Sequence, residues 1–339
     1  MTRKRHHIFT GALVALIAGP AVAEGEVNLY SSRHYDTDER LYSDFEEATG
    51  ITVNRIEGEA DELIARLSAE GANSPADVFL SVDAGRMWRA DQAGVLSPVS
   101  SEVLDARIPA ALRHPDGHWF GLSTRARMIF FDKDVVAEPL ETYADLADPK
   151  FNDMICIRSS SNIYNQSLLG AIIAHDGAEA AEAWAAGVKA NMARDPQGGD
   201  TDQLRGVVSG ECAIAVANSY YFARGLAGDV KGLTEGIQRL GWVFPNQDST
   251  GTHVNISAGA VAAHAPNREN AIAFLEYLAS DQAQEYLAAG NNEYPVVQGV
   301  SRVGALEQLG DFTADDLNLS ALGENQPRAQ EIFNKVGWE

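Results

Sequence analysis

Past its first two dozen residues the chain alternates strand-like and helix-like segments, and that alternation constrains the fold more than any other feature. "VNLYS" reads as a buried strand. "DTDERLYSDFEEATG" reads as a helix: Asp36 with Glu39 fits a capping box, Leu41, Phe45 and Ala48 recur at helical spacing, and Gly50 stops it. "ITVNRIE" is the next strand, with Ile51, Val53 and Ile56 nearly alternating. "ADELIARLSAEG" is a second helix, "ADVFLSV" a third strand and "AGRMWRADQAG" a third helix. A β-α-β-α-β-α order implies a parallel sheet with helices on both faces.

A second set begins after about residue 124. "MICIRS" leads into the helix "NIYNQSLLGAIIAHDG"; "EAAEAWAAGVKANM" and "TDQLRGVVSGE" read as further helices. "CAIAVAN" is a strand running into "SYYFARG". "GTHVNISAGAVAAH" reads as extended, and "NRENAIAFLEYLASDQAQEYLAAG" as a long helical stretch broken at Ser280–Asp281. The expected fold class is therefore α/β, with two lobes, each a mainly parallel sheet flanked by helices. Open sheets of this kind bind ligands at the carboxyl ends of their strands, and two lobes facing each other make a cleft there.

The first 23 residues read as a signal peptide: basic "MTRKRHH", apolar "IFTGALVALIAG", and "AVA" ending at Ala23 as the cleavage site. The apolar run is too short to span a membrane, and no later stretch reaches that length. The residue directly after the cleavage site is Glu24 rather than cysteine, which speaks against a lipid anchor. The expectation is an exported, periplasmic protein, monomeric and not inserted in a membrane.

Export removes Arg3, Lys4 and Arg5 from the chain's 26 basic residues, leaving 23 against 48 acidic ones, a net charge of −25. Such a surface repels nucleic acid and anionic lipid. Its plainest role is solubility. The two cysteines, Cys156 and Cys212, flank apolar runs; in an oxidising compartment a pair forms one disulfide, the alternative being two buried thiols.

Four tyrosines occupy one kind of place. Tyr35 in "SSRHYD", Tyr164 in "SSSNIYNQ", and Tyr220 and Tyr221 in "NSYY" all follow a strand and begin a helix. Such turns face the cleft. Adjacent side chains share no face of a regular element, so Tyr220 and Tyr221 can converge only where the backbone turns. Two readings are open from position alone. The phenols line a pocket for an organic ligand, such as an amino acid or a small cation caged by aromatic rings. Alternatively they bind a metal: a cation of high charge density displaces the phenolic proton, and Fe(III) is such an ion. Four phenolates around Fe(III) leave a net −1, which Arg224, one turn after the tyrosines, or Arg125 or Arg127 in "STRARM" could offset. His34, beside Tyr35, is a candidate for one further ligand.

The chain resembles the periplasmic iron-binding proteins of ABC importers, in particular the Fut-type branch. The resemblance runs through "NLYSSRHYDTD", "IEGEADELIARL", "SPADVFLSVDAGR", "WFGLSTRARMIFFDK", "CIRSSSNIYNQSLLG", "VANSYYFARG", "GTHVNISAGAV" and "NNEYPVV". It implies a type II binding-protein fold hinged by crossover strands, with residues 24–123 and 254–339 in the first lobe and 124–253 in the second. It implies iron, Fe(III) first with Fe(II) as the alternative, as the carried ligand, and an inner-membrane ABC permease as partner. The family's ligands fall on Tyr35, Tyr164, Tyr220 and Tyr221, with His34 as a variable extra ligand and Arg125 and Arg224 beside the site. Enzymatic activity is not expected: H-E-x-x-H, G-x-S-x-G, Walker A and G-x-G-x-x-G motifs are all missing. His114 and His118 in "RHPDGHWFG" read as a surface turn. A redox enzyme using tyrosines around a metal is a third and weaker reading.

Overall fold

The computed structural model describes residues 25–339 apart from His34, Pro139 and Asp229. The expected signal peptide, residues 1–23, and the candidate ligand His34 lie outside the described residues.

The first half follows the expected alternation. Strand β1 (Gly25–Ser31) leads through a 3-10 turn at Asp36–Asp38 into helix α1 (Glu39–Thr49). Then come β2 (Ile51–Glu57), α2 (Ala60–Glu70), β3 (Val78–Val82), α3 (Ala84–Gln92), the short β4 (Leu96–Ser97) and α4 (Glu102–Arg107). Gly50 ends α1 in the left-handed conformation, φ 74°, as the sequence suggests. The expected capping box does not form. The 3-10 turn carries no side-chain cap, and Glu39 is drawn 2.5 Å from Arg55 Nη2 on β2 instead.

The second half opens on β5 (Phe120–Asp132), a strand of 13 residues buried almost throughout. After it come β6 (Ile155–Cys156), α5 (Ile163–Asp176), α6 (Ala178–Ala190), α7 (Asp200–Ser209), β7 (Ile214–Asn218), α8 (Ser219–Ala227) and β8 (Leu240–Val243). Strand β9 (Val254–Ala262) precedes α9 (Arg268–Leu278) and α10 (Asp281–Asn291). Ser280 accepts a hydrogen bond from the Ala283 N–H, and this cap creates the break the sequence signals between them. The chain closes with β10 (Tyr294–Pro295), α11 (Ala305–Leu309), α12 (Ser320–Glu324) and α13 (Gln326–Val336).

The strand order is β2-β1-β3-β9-β5-β7-β6. The β-α units supply the parallel pairs β1–β2, β1–β3 and β6–β7. The two long strands β5 and β9 supply the antiparallel ones. Strand β5 pairs with β9 up to Ala126 and with β7 from Arg127 onward. One strand thus joins two groups of strands, and its change of partner falls between two arginines.

Period-two alternation sorts the side chains onto the two faces. Val27, Leu29, Val78 and Leu80 pack under α1, α9 and α10, whereas Tyr30 and Phe79 pack with α2 and α3. In the second group Ile214 and Val216 face α5 and α6, and Ala215 and Ala217 face α7 and α8. The C-terminal segment departs from expectation. α11 packs on α8, and α13 packs on α5 and α6 through Ala329, Ile332 and Phe333, so the end of the 254–339 stretch shares the second group's core.

Cys156 and Cys212 form a disulfide with Cα atoms 5.9 Å apart. Gly206 on α7 lets the bond lie against the helix: a Cβ there would sit 2.9 Å from Cys212 Sγ and 3.0 Å from Cys156 Sγ. The link closes a separation of 56 residues. Replacing both cysteines by alanine should lower unfolding stability by about 3 kcal/mol, through freedom returned to the unfolded chain. An unchanged denaturation midpoint would contradict this.

Candidate metal centre

The four tyrosines reach one cleft of about 210 Å³, together with Arg224, Arg86, Glu59 and Ser32. Three different local devices bring them there.

Tyr35 lies in the segment after β1, and that segment is held by a buried ion-pair network. Arg33 Nε lies 2.9 Å from Asp38 Oδ2 and Nη2 donates to Asp38 Oδ1 at 3.1 Å. The same guanidinium reaches Glu293 Oε2 at 3.2 Å and covers the Tyr35 ring at 4.9 Å. Glu293 also accepts from Ser123 on β5, 2.6 Å, and Ser257 on β9, 3.2 Å. One carboxylate therefore ties both long strands to the loop that carries Tyr35. Sequence reasoning gave Arg33, Asp38 and Glu293 no role.

Tyr164 is the second residue of α5, whose N-cap Asn162 accepts from the Tyr164 N–H at 3.1 Å. Arg158, Arg125 and Arg127 surround its ring at 5.4, 5.7 and 5.8 Å. Residues 125 and 127 share one face of β5, so both guanidinia can reach the same phenol.

Tyr220 and Tyr221 form the first turn of α8. Asn218 is still extended, φ −74° and ψ 145°, and the backbone turns helical directly after it. That change lets consecutive rings lie side by side, centroids 4.1 Å apart. The Tyr220 hydroxyl is 3.3 Å from that of Tyr164. All three phenols of the second group thus stand at helix N-termini, where negative charge is favoured.

The arginines divide the work. Arg127 is paired with Asp200, Nη1 to Oδ2 at 2.6 Å, and both are fully buried. It also donates to Asn218 at 3.2 Å and Asn165 at 2.9 Å, the residues just before α8 and just after Tyr164. Its charge is therefore neutralised, and it acts as a bracket between the two tyrosine-bearing turns. Arg125 is equally buried, but among the described residues its guanidinium donates only to Ser257 Oγ, at 3.4 Å. Among the described residues its Nε and Nη2 have no hydrogen-bond partner. Burial works against its charge, yet Tyr164, Glu293 and Asp83 more than offset that, so the guanidinium stays protonated. Arg224 lines the cleft but is exposed, where water and salt screen its charge.

Burial pushes the Tyr35 phenol up to about 12, with Glu293 adding to it. Burial raises Tyr220 well above its ordinary value, and the neighbouring phenols add further. Tyr221 is raised by burial and then by Tyr164. At neutral pH these three are neutral hydroxyls. A monovalent cation gains too little from phenolate to displace such protons; a trivalent ion held by several phenolates at once can. Binding then releases protons, so affinity falls with acidity.

A family model described as bacterial extracellular solute-binding protein matches residues 40–315. The chain is 48% identical to iron uptake protein A1 of Synechocystis sp. over 326 residues, covering 96% of this chain and 91% of that one. Among solved structures, Trichodesmium FutA in complex with iron and citrate superposes with a TM-score of 0.90 at 51% identity, covering 93% of this chain and all of that one. Apo FutA2 from Synechocystis gives a TM-score of 0.89 at 47% identity, covering 94% and 100%.

Proposed function

The chain belongs to the bacterial extracellular solute-binding protein family, and on that premise we propose that it captures iron as Fe(III) in the tyrosine cleft and delivers it to an ABC permease of the inner membrane. It is a carrier rather than an enzyme, and it works in the periplasm after loss of its leader. The observation that carries the reading is the convergence of four phenols on one cleft, with the Tyr164 and Tyr220 hydroxyls 3.3 Å apart. Tyr35, Tyr164, Tyr220 and Tyr221 supply the phenolate oxygens. Arg125 offsets the excess negative charge, with Arg224 a weaker contributor at the rim.

Closure is part of the same proposal. Residues 24–123 and those from 254 through α10 form one lobe; residues 124–253, joined by α11 and α13, form the other. β5 and the chain entering β9 cross between them. Tyr35 comes from the first lobe and the other three ligands from the second, so an ion held by all four favours the closed arrangement by its differential contacts.

The test is a pH titration of the ferric–phenolate absorption band in wild type, Arg125→Gln and Arg224→Gln at equal ionic strength. Removing a nearby positive charge makes phenol deprotonation harder, so protons compete better and iron leaves at higher pH. Arg125→Gln should raise the midpoint of release by about one pH unit. The screened Arg224 should move it less. An unmoved midpoint in Arg125→Gln, or a larger shift in Arg224→Gln, would reverse the assignment.

A further inference from the structure

We propose that the chain carries a second metal site, for a divalent transition ion such as Zn²⁺, built from Asp91, His114 and His118. It lies at the far end of α3, about 11 Å of helix from the end that meets the tyrosine cleft. The two histidines flank the turn His-Pro-Asp-Gly, and the turn is rigidly built. Gly117 N–H bonds to His114 O at 3.0 Å, and His114 N–H bonds to Trp119 O at 2.9 Å. Pro115 and Gly117 suit the second and last positions of such a turn. Gly117 has φ +75° and presses so close to Val99 that a Cβ would sit 2.3 Å from its carbonyl oxygen.

The turn presents two imidazoles to one carboxylate. The rings are stacked, 4.7 Å between centroids and 13° from parallel. His118 Nδ1 is hydrogen-bonded to Asp91 Oδ1, and His114 Nε2 lies 3.8 Å from Asp91 Oδ2. One ligand atom from each of the three residues lies within 4.8 Å of the others. An ion with bonds of about 2.1 Å in tetrahedral geometry sets its ligands roughly 3.4 Å apart, so binding opens the His118–Asp91 hydrogen bond, draws His114 Nε2 in, and turns one imidazole out of the stack so that both ring planes meet at the ion. The side chains are 14–27% exposed, which leaves one side open for water to fill the remaining coordination.

The donor set selects the class of ion. Two imidazole nitrogens and one carboxylate oxygen suit Zn²⁺ and its neighbours, unlike an all-oxygen set for Ca²⁺ or Mg²⁺. The proton balance closes. Binding at His118 Nδ1 moves that ring's proton to Nε2, replacing the bond to Asp91. His114 Nδ1 accepts from the Asp116 N–H at 3.1 Å; binding at Nε2 moves the ring proton to Nδ1 and turns the exposed Asp116 amide to water. Two tautomer shifts occur and no proton is lost from neutral rings.

The experiment is calorimetric titration of the untagged mature chain with Zn²⁺, with and without prior Fe(III) loading. One equivalent should bind in both cases, leaving the ferric colour unchanged. His118→Gln and the isosteric Asp91→Asn should each weaken zinc about tenfold or more, with far-UV circular dichroism and iron binding intact. Wild type that takes up no stoichiometric zinc well above micromolar concentrations, zinc lost on Fe(III) loading, or variants that bind as wild type does would each overturn the proposal.

Discussion

Replacing both Tyr220 and Tyr221 by phenylalanine should give a folded protein that no longer colours with ferric citrate. Each change removes one hydroxyl and keeps the ring, so the 4.1 Å ring pair on α8 survives. Within the cluster the change removes the contact between the Tyr220 and Tyr164 hydroxyls and that between the two adjacent phenols. A single intramolecular hydrogen bond is worth about 1 kcal/mol net, and the buried hydroxyl of Tyr220 also sheds its desolvation cost. The effect on iron is of another order. Loss of an outer partner at a metal site already costs 10–100-fold in affinity, so loss of two anionic ligands should exceed about 100-fold. Either single change should weaken binding and shift the visible band. A double variant that stays coloured and holds iron as the wild type does would move the site elsewhere.

Arg127→Leu should be the most destabilising of these substitutions. It leaves Asp200 buried with the Asn218 N–H donating to one oxygen at 2.7 Å and Arg158 as its nearby cation, 3.6 Å from the other. Breaking one side of a buried pair typically costs 3–5 kcal/mol, mostly as the penalty of an uncompensated charge. For a chain of this size that corresponds to a fall in Tm of roughly 5–8 °C. The double variant Arg127→Leu with Asp200→Leu removes both charges and should recover part of the loss. Thermal unfolding of the iron-free proteins measures this. A shift of Tm too small to resolve in Arg127→Leu would show that the pair does not brace the two tyrosine turns.

What the sequence revealed and what it concealed follow the range of the interactions. Tyr164 and Tyr220 were legible because a strand end, a cap and a helix start are local signals, written within a few residues. The disulfide was legible because only two cysteines exist to pair. The arginines were half legible. Helical spacing correctly puts Arg224 beside the tyrosines, but it does not say that this face of α8 is open to water. Alternation puts Arg125 and Arg127 on one face of β5, but only the fold brings Asp200 to neutralise one and leave the other charged. The network that holds Tyr35 was not legible, because Arg33 and Glu293 meet across 260 positions of chain. The Asp36–Glu39 capping box failed for a related reason: β2 brings Arg55 within 2.5 Å of Glu39 and takes its carboxylate. The C-terminal helices likewise cross back to a core that their position in the chain does not announce.

The central claim is that tyrosine oxygens hold the iron. Resonance Raman spectroscopy of the iron-loaded protein, excited within its visible band, tests it most directly. Tyrosinate ring modes should be strongly enhanced, and should shift in both Tyr220→Phe and Tyr221→Phe. Iron bound at one equivalent with no tyrosinate enhancement would mean that carboxylates or other groups hold it, and would contradict the account.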